Sequence, residues 1–381
     1  MDNLTHSLVG LAAAKAGLEK LSPGATALSL LAANSPDADI VTLLGGRWIY
    51  LQNHRGLTHS IAGTIVLALA LPLVFHGCAW LIARLRKRKP ATRLLGLMIV
   101  SIVVTATHPL LDWTNNYGVR FLLPWNARWF YGDLVFIMDP VFWLVLGGAV
   151  FLVASRTKLR IAVWIAIAVF TSVLVLFGPV GRGGLSNALP LRVIWISALV
   201  GLVVLYMRQP GLRWGAKIPR VALVIMVLYV AGLFTAHAVA LRRLSVVAAA
   251  ITKPTNEHPV DMAAMPTLAN PLRWLCIVET ETSAYRFELM LGKGSSEPTR
   301  MVRYQKPEAF SSPSVAQAEA DYRAQVFLGF ARFPVLQLSD PNCTTQTLVQ
   351  FADLRYTEPG NRGTFSLEVP VDCSVTRDIT K

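Results

Sequence analysis

Runs of apolar residues dominate the first two thirds of this chain and are separated by short polar loops. Six of the runs have about 20 residues, the length that crosses a bilayer as a helix. The long runs lie at about 59–83, 94–112, 135–154, 161–180, 191–207 and 221–241, and two shorter runs lie at about 4–18 and 24–35. The shorter runs are predicted to form helices that pack against protein rather than lipid. The pattern predicts a membrane α-helical bundle with about six spanning helices and two short N-terminal helices.

The pattern changes after residue 244. A proline-rich stretch is followed by segments in which apolar and polar residues alternate, the period of a strand with one buried face. These segments begin at Trp274, Tyr285 and Phe365, and a helix is predicted around 314–330. The predicted division is a membrane-embedded core that holds the polar strings described below, then additional spanning helices, then a C-terminal extramembrane α+β domain, at 1–150, 151–244 and 245–381.

Basic residues are concentrated in alternate loops of the membrane part. Residues 1–244 carry 23 Lys and Arg against 7 Asp and Glu, whereas residues 245–381 carry 13 against 15. One set of loops holds 15 basic residues and the opposite set holds 6, a bias that assigns the first set to the cytoplasm. The other two, Arg242 and Arg243, are an exception, because they lie just past the last predicted span on the assigned outer side. The chain is predicted to be a multi-pass protein of a bacterial inner membrane with its C-terminal domain outside the cytoplasm. Topology explains the basic excess, and no nucleic-acid binding is expected.

The four cysteines include no CxxC pair and no zinc-finger spacing. Cys343 and Cys373 flank predicted strands, and they can pair if the C-terminal domain faces an oxidising compartment. Cys276 is then left over.

Most carboxylates of the membrane part lie in short strings, several of which contain histidine. Ionisable groups at membrane depth are costly and have a functional role by default, and Asp with neutral His is a ligand set for first-row metals. On the assigned topology every string falls at the outer end of its segment, so the strings are predicted to form one site. The strings are Asp2 to His6, Asn34 to Asp39, His54 to His59, His108 to Asp112, and Asp133 to Asp139.

Two of the strings suggest metal ligands by their spacing. His108 and Asp112 are four residues apart and share one face if the run is helical, although Pro109 favours a helix start or a kink there. Asp37 and Asp39 follow a proline, and an extended backbone would point both side chains the same way. The alternatives are a local cap or salt bridge for Asp112 and an ordinary polar loop for the Asp37 string.

The string from His54 to His59 combines two histidines with Arg55, whose planar guanidinium is a bidentate partner for phosphate or carboxylate. Each histidine alone would be read as a solvated interfacial residue. Asp2 and His6 are also four residues apart, in a chain start that is predicted to be helical with Thr5 as a cap; a mobile terminus is the alternative.

Asp133 and Asp139 are weaker candidates for the site. Asp139 precedes Pro140 at a predicted helix start, where an N-cap role competes with a metal role. No role is therefore assigned to either residue.

Four of these strings resemble the YdjM-like family of LexA-regulated, membrane-bound, metal-dependent hydrolases. The matching strings are MDNLTHSLVG at the start, NSPDAD at 34–39, HRGLTHS at 54–60 and HPLLD at 108–112, and the resemblance covers roughly residues 1–150. The family is distantly similar to zinc-dependent phospholipase C and the S1-P1 nucleases, which gather His and Asp from a helical core around zinc. The resemblance implies phosphoester hydrolysis. The tail carries no catalytic motif.

Together these features predict a membrane-bound metal-dependent hydrolase that acts on phosphoesters, lipid or lipid-linked, at the outer membrane face. Two or three divalent ions, Zn²⁺ or Mn²⁺, would activate a water and polarise the phosphoryl group. Arg55 would clamp the substrate phosphate, and His54 would be a ligand or an acid–base group. The predicted metal ligands are Asp2, His6, Asp37, Asp39, His59, His108 and Asp112.

Two other functions remain open from the sequence. An ion- or proton-coupled transporter would use the same Asp and His groups as a relay, although relay groups are expected near the membrane midplane rather than at one face. A metal-stabilised membrane anchor would instead present the tail as a binding module. Activity against a generic phosphodiester separates the hydrolase from both.

Overall fold

A computed structural model describes residues 1–178, 185–268, 270–292, 298–307, 312–340, 345–361 and 363–373. The chain forms two compact units. The first contains Met1–Asp39, Arg55–Phe234 and Thr267–Asn270. The second contains Ile40–His54, Thr235–Pro266 and Pro271–Lys381.

Two short helices open the first unit, as predicted: α1 (Asn3–Ala16) and α2 (Ala25–Asn34). The predicted cap was wrong, because Asp2 caps α1 and accepts hydrogen bonds from the Thr5 backbone N–H (3.0 Å) and hydroxyl (2.7 Å). Gly10 lets α1 approach α2 closely, since a Cβ there would lie 2.7 Å from the Ser29 carbonyl oxygen.

The remaining helices alternate between long apolar spans and short connecting elements. Among the described residues, five helices are long and apolar enough to cross a membrane: α4, α5, α8, α9 and α11. In chain order the helices are α3 (Arg47–Asn53), α4 (Ile61–Leu85), α5 (Leu94–Trp113), α6 (Pro140–Phe142), α7 (Gly148–Ala154), α8 (Lys158–Phe177), α9 (Leu185–Met207), α10 (Pro210–Trp214), α11 (Lys217–Thr252), α12 (Pro313–Glu319) and α13 (Tyr322–Phe330).

The sixth apolar run is shorter than predicted. It forms the apolar helix Pro140–Ala154, in which a π-helical turn, Trp143–Gly147, joins α6 to α7. Asp139 fixes its start by accepting a hydrogen bond from the Val141 N–H (2.8 Å), next to a proline at the first helical position. Fifteen residues rise only about 22 Å, against the ~30 Å of a bilayer core.

The basic loops of the first unit lie together, at the ends of the helices away from the Asp and His strings. The Arg93 N–H donates to the Ser22 hydroxyl (2.8 Å), and the Arg220 guanidinium donates to the carbonyl of Ala16, the last residue of α1 (2.6 Å). The Tyr206 hydroxyl donates to the carbonyl of Ser155, which follows α7 (2.8 Å). The first unit therefore has one basic end and one Asp/His end. Arg182, one of the 6 basic residues in the opposite set of loops, lies outside the described residues.

The second unit is α+β. Two sheets have the strand orders β1-β2-β3-β4 and β5-β6-β7, and every strand pair with a described register is antiparallel. The strands are β1 (Asp261–Thr267), β2 (Asn270–Glu279), β3 (Ser283–Met290), β4 (Thr299–Gln305), β5 (Pro334–Leu338), β6 (Gln346–Asp353) and β7 (Ser366–Asp372). The three strands predicted at Trp274, Tyr285 and Phe365 are confirmed. The predicted helix at 314–330 occurs as α12 and α13, because Asp321 caps a new helix there.

Two helical segments complete the second unit. The C-terminal half of α11 packs Leu244 and Val247 against the buried Trp274 and Phe287 of the first sheet. Trp48 of α3 packs against the core formed by the second sheet and its helices. The predicted Cys343–Cys373 disulfide involves Cys343, which lies outside the described residues; Cys373 is disulfide-bonded, and Cys276 is a buried free thiol.

Candidate metal centre

Three separate segments bring Asp and His side chains together in the first unit. His108 and Asp112 lie on the last turns of α5, which continues through Pro109 without a break. His59 ends a 3-10 turn, Leu57–His59, just before α4 begins. Asp37 comes from the segment Ser35–Gly45, which is 3-10 helical and not extended as predicted. At three residues per turn, Asp37 and Asp39 point in different directions, so they approach the site from different sides.

Four ligand atoms form the centre of the cluster. The His59 Nε2 lies 3.3 Å from Asp37 Oδ1, 3.2 Å from Asp112 Oδ2 and 3.2 Å from His108 Nε2. The His108 Nε2 lies 3.5 Å from the same Asp37 oxygen and 3.3 Å from the same Asp112 oxygen. Ligands held about 2.0–2.1 Å from a tetrahedral zinc ion lie about 3.3–3.4 Å from one another. Five of the six ligand-atom distances in the cluster Asp37, His59, His108 and Asp112 are therefore close to those of a tetrahedral metal site.

The outer ring nitrogens of both histidines have their own partners. The Nδ1 of His108 lies 2.6 Å from the carbonyl oxygen of Ala33. The Nδ1 of His59 lies 3.1 Å from the Thr58 hydroxyl and 3.4 Å from Asp39 Oδ2. A carbonyl or carboxylate at Nδ1 fixes the proton there and directs the Nε2 lone pair inward, the arrangement usual for metal-binding histidine. Asp39, predicted as a ligand, thus lies behind the His59 ring.

The second oxygen of Asp112 faces a different group of side chains. Asp112 Oδ1 lies 3.3 Å from His6 Nε2 and 3.0 Å from the Arg55 guanidinium, and it also contacts the backbone nitrogen of Met1. The His6 ring stacks on His108, with ring centroids 3.7 Å apart. Burial lowers the pKa of His6 to about 3, with a smaller effect from His108. His6 is therefore neutral, the form in which imidazole binds metals.

Arg55 is buried and its guanidinium is engaged within the site. It contacts Asp112, donates to the Asn115 side-chain oxygen (2.8 Å) and lies over the Tyr117 ring, 4.6 Å from its centroid. Its backbone has φ 54°, and its N–H donates to Asp39 Oδ2 (3.0 Å). The Arg55 Nε is buried and has no hydrogen-bond partner among the described residues.

The other predicted residues lie outside the four-residue cluster. Asp2 caps α1 and also accepts a hydrogen bond from the Trp143 indole (3.2 Å). Asp139 caps α6 and accepts a hydrogen bond from the Tyr229 hydroxyl (2.8 Å). His54 belongs to the second unit, where it follows α3 and its ring stacks on Tyr50, with centroids 4.7 Å apart.

Sequence reasoning missed Asn115 and Tyr117, which hold Arg55. Asn115 follows Asp112 by three residues, and both it and Tyr117 are buried. Proximity to the His108–Asp112 pair was the available signal, since a polar residue one turn beyond a ligand on the same chain segment stays near the site. The carbonyl of Ala33 carries no sequence signal at all.

Electrostatics support binding of a cation at the cluster. Burial would raise the pKa of Asp37, but its contacts with the His108 and His59 rings, whose Nε2 can carry a proton that a bound metal would replace, outweigh burial and hold that pKa below its usual range. Asp37 is therefore a carboxylate, next to the buried carboxylate Asp112. Arg55 balances only part of this negative charge, and a divalent ion would balance more of it.

The part of the chain that holds the site is similar to known proteins. The family model of the YdjM inner membrane protein matches residues 1–185. "Uncharacterized protein YfhP" of Bacillus subtilis (strain 168) is 25% identical over 150 residues, which are 37% of this chain and 42% of that protein. The chain thus matches less than half the length of this relative. No solved structure shows a significant match. The match to the family model of the YdjM inner membrane protein thus covers residues 1–185, which contain the whole Asp/His cluster.

Proposed function

We propose that this protein is a membrane-bound metal-dependent hydrolase of phosphoesters. One observation carries the proposal: four buried or half-buried ligand atoms from three segments lie within 4.8 Å of one another. Structural histidines and carboxylates in a protein interior are usually satisfied by donors such as Arg, amides or hydroxyls. Here the inward atoms of Asp37, His59, His108 and Asp112 face one another instead.

Zn²⁺ fits this donor set best, because two imidazoles and two carboxylates are among its preferred ligands, and Mn²⁺ is the second choice. A bound ion would lower the pKa of a coordinated water and polarise a phosphoryl oxygen. The two oxygens of Asp112 face different histidines, His59 and His108 on one side and His6 on the other. That division supports a second ion shared through Asp112.

The surrounding residues would position this chemistry. Arg55 holds Asp112 and partly neutralises it, so it would keep the carboxylate oriented as charge changes at the reacting phosphoryl group. Asp39 would keep the His59 ring in its ligating orientation. His54 lies in the second unit, and its role as a ligand or acid–base group stays a proposal.

A relay function for the same groups has one observation in its favour. Ser101 and Thr105 continue the face of α5 that carries His108 and Asp112, and both hydroxyls are buried without a partner among the described residues. Thr64 of α4 has a buried hydroxyl of the same kind. A proton- or ion-coupled transporter would use such a polar track, so transport is the second candidate.

Hydrolysis of a generic phosphodiester separates these functions. Detergent-purified protein with one added equivalent of Zn²⁺ or Mn²⁺ should hydrolyse bis(p-nitrophenyl) phosphate, and a chelator should abolish the activity. His76→Ala is a suitable control, because His76 bonds to Thr92 at the basic end of the unit. Metal-loaded protein without hydrolysis, but with ion-driven uptake in proteoliposomes, would favour the transporter.

The membrane side of the site is part of the proposal. The basic loops lie together at one end of the first unit, and by the positive-inside rule that end would be cytoplasmic. The Asp/His end and the residues after α11 would then be extracytoplasmic. An alkaline phosphatase fused after residue 260 should be active, and a cytoplasmic reporter at the same position should be inactive; the reverse pattern would reverse the topology.

A further inference from the structure

A second feature of the first unit is an apolar groove beside the metal centre. Its volume is about 180 Å³, similar to the ~150 Å³ apolar cavity that accepts benzene in an engineered protein. Its lining residues come from α1, the helix Pro140–Ala154, α8 and α9, and they include Leu4, Leu8, Trp143, Ile165, Trp195 and Val203. Thr171 also lines it, but its hydroxyl is bonded to the Ile167 carbonyl of its own helix (2.8 Å). The groove therefore offers hydrocarbon contacts rather than polar ones.

The groove opens towards the surface that faces lipid. Ile165 of α8 and Val203 of α9 line it and are 58% and 57% exposed. Leu8 and Trp195, at 2% and 1% exposure, form its interior. Because α8 and α9 are apolar helices of spanning length, the medium at this mouth is the hydrocarbon of the bilayer.

The first turn of α1 connects the groove to the metal centre. Leu4 and Leu8 face the groove, whereas His6, on another face of α1, contacts Asp112. The Trp143 ring lines the groove, and its indole N–H lies 3.2 Å from both Asp2 Oδ1 and the Thr5 hydroxyl. One wall is thus shared by an apolar groove and a polar, metal-binding cluster.

We propose that the groove binds one hydrocarbon chain of a membrane lipid whose phosphoester headgroup is the substrate of the metal centre. The substrate part of this proposal rests on the proposed hydrolase function. A lipid phosphoester has the two properties that the shared wall requires, an alkyl chain and an anionic headgroup joined within one molecule. A lipid chain also reaches the groove directly from the bilayer.

Gly147 provides a way to fill the groove without disturbing the metal cluster. A Cβ at this position would lie 3.7 Å from Leu8 Cδ1 and 3.8 Å from the Trp164 ring, which are ordinary contacts. Gly147→Ala should therefore be tolerated, and Gly147→Leu should occupy the space of the bound chain. Gly201 is the matched control, because it lies on α9, is exposed, and a Cβ added there would have no described atom within 4 Å.

Photolabelling tests binding without any need for activity. The full-length protein is reconstituted in vesicles of phosphatidylglycerol that carry a diazirine in the middle of one acyl chain, and labelled residues are mapped by mass spectrometry. We expect groove residues Ile167 and Leu199 to be labelled, and Gly147→Leu to reduce that labelling at least fivefold relative to Gly201→Leu. Labelling of Phe170 and Val200, which are exposed on the same helices outside the groove, should not change.

Equal groove labelling in the two leucine variants would overturn the proposal, provided that both retain wild-type metal content and thermal stability. If Gly147→Leu does not fold, Gly147→Ala replaces it, with a smaller decrease expected. Crosslinks between two copies of the chain at the groove would also overturn the proposal, because they would identify a helix of a second copy as the occupant.

Hydrolysis then tests the substrate class. Gly147→Leu should lower kcat/KM for long-chain phosphatidylglycerol at least tenfold and leave bis(p-nitrophenyl) phosphate, which has no chain, within twofold. An equal loss on both substrates would contradict a chain-binding groove. If the wild type hydrolyses neither substrate but its groove is labelled, the hydrolase proposal fails and chain binding stands.

Discussion

Two buried groups of charge, one in each unit, are built in opposite ways. In the second unit, the side chains of Asp353 and Arg355 are both fully buried, and two Arg355 nitrogens donate to Asp353 Oδ2, at 2.8 and 2.6 Å. Asp353 also accepts the backbone N–H groups of Arg332 and Arg355, and Arg355 donates to the Phe330 carbonyl. In the first unit, Asp37, His59, His108 and Asp112 direct acceptor-type atoms at one another.

The difference separates a structural use of buried charge from a functional one. A buried carboxylate that is bound by guanidinium and amide donors has its charge balanced. Removing either the carboxylate or the guanidinium leaves an unpaired buried charge. In the first unit the carboxylates and imidazoles outnumber the donors next to them. An added cation is needed to balance the charge of this cluster. Substitutions in the two groups should therefore affect different properties of the protein.

The largest effect is expected from the ligands on α5. His108→Ala and Asp112→Ala should each lower metal affinity by about 100-fold or more, beyond the ~10–100-fold seen for residues that only support a ligand, and should abolish any hydrolysis. Isothermal titration of the metal-free protein with Zn²⁺ measures this. Unchanged affinity in both variants would mean that the cluster is structural, like the Asp353–Arg355 pair.

The second prediction concerns that pair. Asp353→Asn should destabilise the second unit by about 3–5 kcal/mol, because it leaves Arg355 buried and unpaired, and should not change metal content. Hydrogen exchange of strands β5, β6 and β7 reports the change.

The matched control is Asp321→Asn, which alters the exposed pair with Arg323. The cost of this control substitution should stay below about 1 kcal/mol, since Asn still caps α13. Loss of metal in Asp353→Asn would contradict the separation of a structural ion pair from the metal cluster.

A smaller effect is expected behind the ligands. Asp39→Asn removes the charge that orients His59, and metal affinity should fall by about 10–100-fold while the fold is kept. Asp133→Asn, another buried aspartate of the first unit, should leave affinity within about threefold, because Asp133 lies outside the four-residue cluster. A competition assay with a zinc-binding dye compares the two. Equal losses would place both aspartates in one extended ligand set.

The smallest effect on metal is expected from Arg55→Lys. The charge remains but the bidentate fork is lost, so the metal should stay bound while turnover falls, or KM rises, by about tenfold. Arg120→Lys is the control, because the Arg120 guanidinium lies over the Trp129 ring rather than on Asp112. Should Arg55→Lys lose its metal while His108→Ala keeps it, the roles given to these residues would be wrong.

The sequence predicted the helical part of the molecule because local hydropathy and length decide whether a segment spans. The two N-terminal helices and five of the six spans follow from that pattern. The hydropathy pattern overestimated the length of the helix at 135–154, because Asp139 and Pro140 set a later helix start. It also ended the last span too early, since α11 continues to Thr252 by packing against the first sheet of the second unit.

The sequence also predicted which Asp and His residues lie close together better than it predicted their arrangement. His108 and Asp112 were placed together by helix periodicity, and that spacing holds. Asp39 behind His59, and Arg55 on Asp112, depend on a 3-10 segment and a left-handed backbone residue. Such conformations are set by long-range contacts rather than by local sequence. The assignment of Ile40–His54 to the second unit, between two residues of the site, had no sequence signal.

The central claim is that the cluster Asp37, His59, His108 and Asp112 is a metal site. Elemental analysis of folded, detergent-purified wild-type protein beside His108→Ala tests it most directly, with the protein concentration determined by amino-acid analysis. The account predicts at least about one equivalent of a transition metal per wild-type chain, zinc first, and a clear loss in the variant. Less than about a tenth of an equivalent in folded wild-type protein, with no uptake of added Zn²⁺ or Mn²⁺, would contradict it.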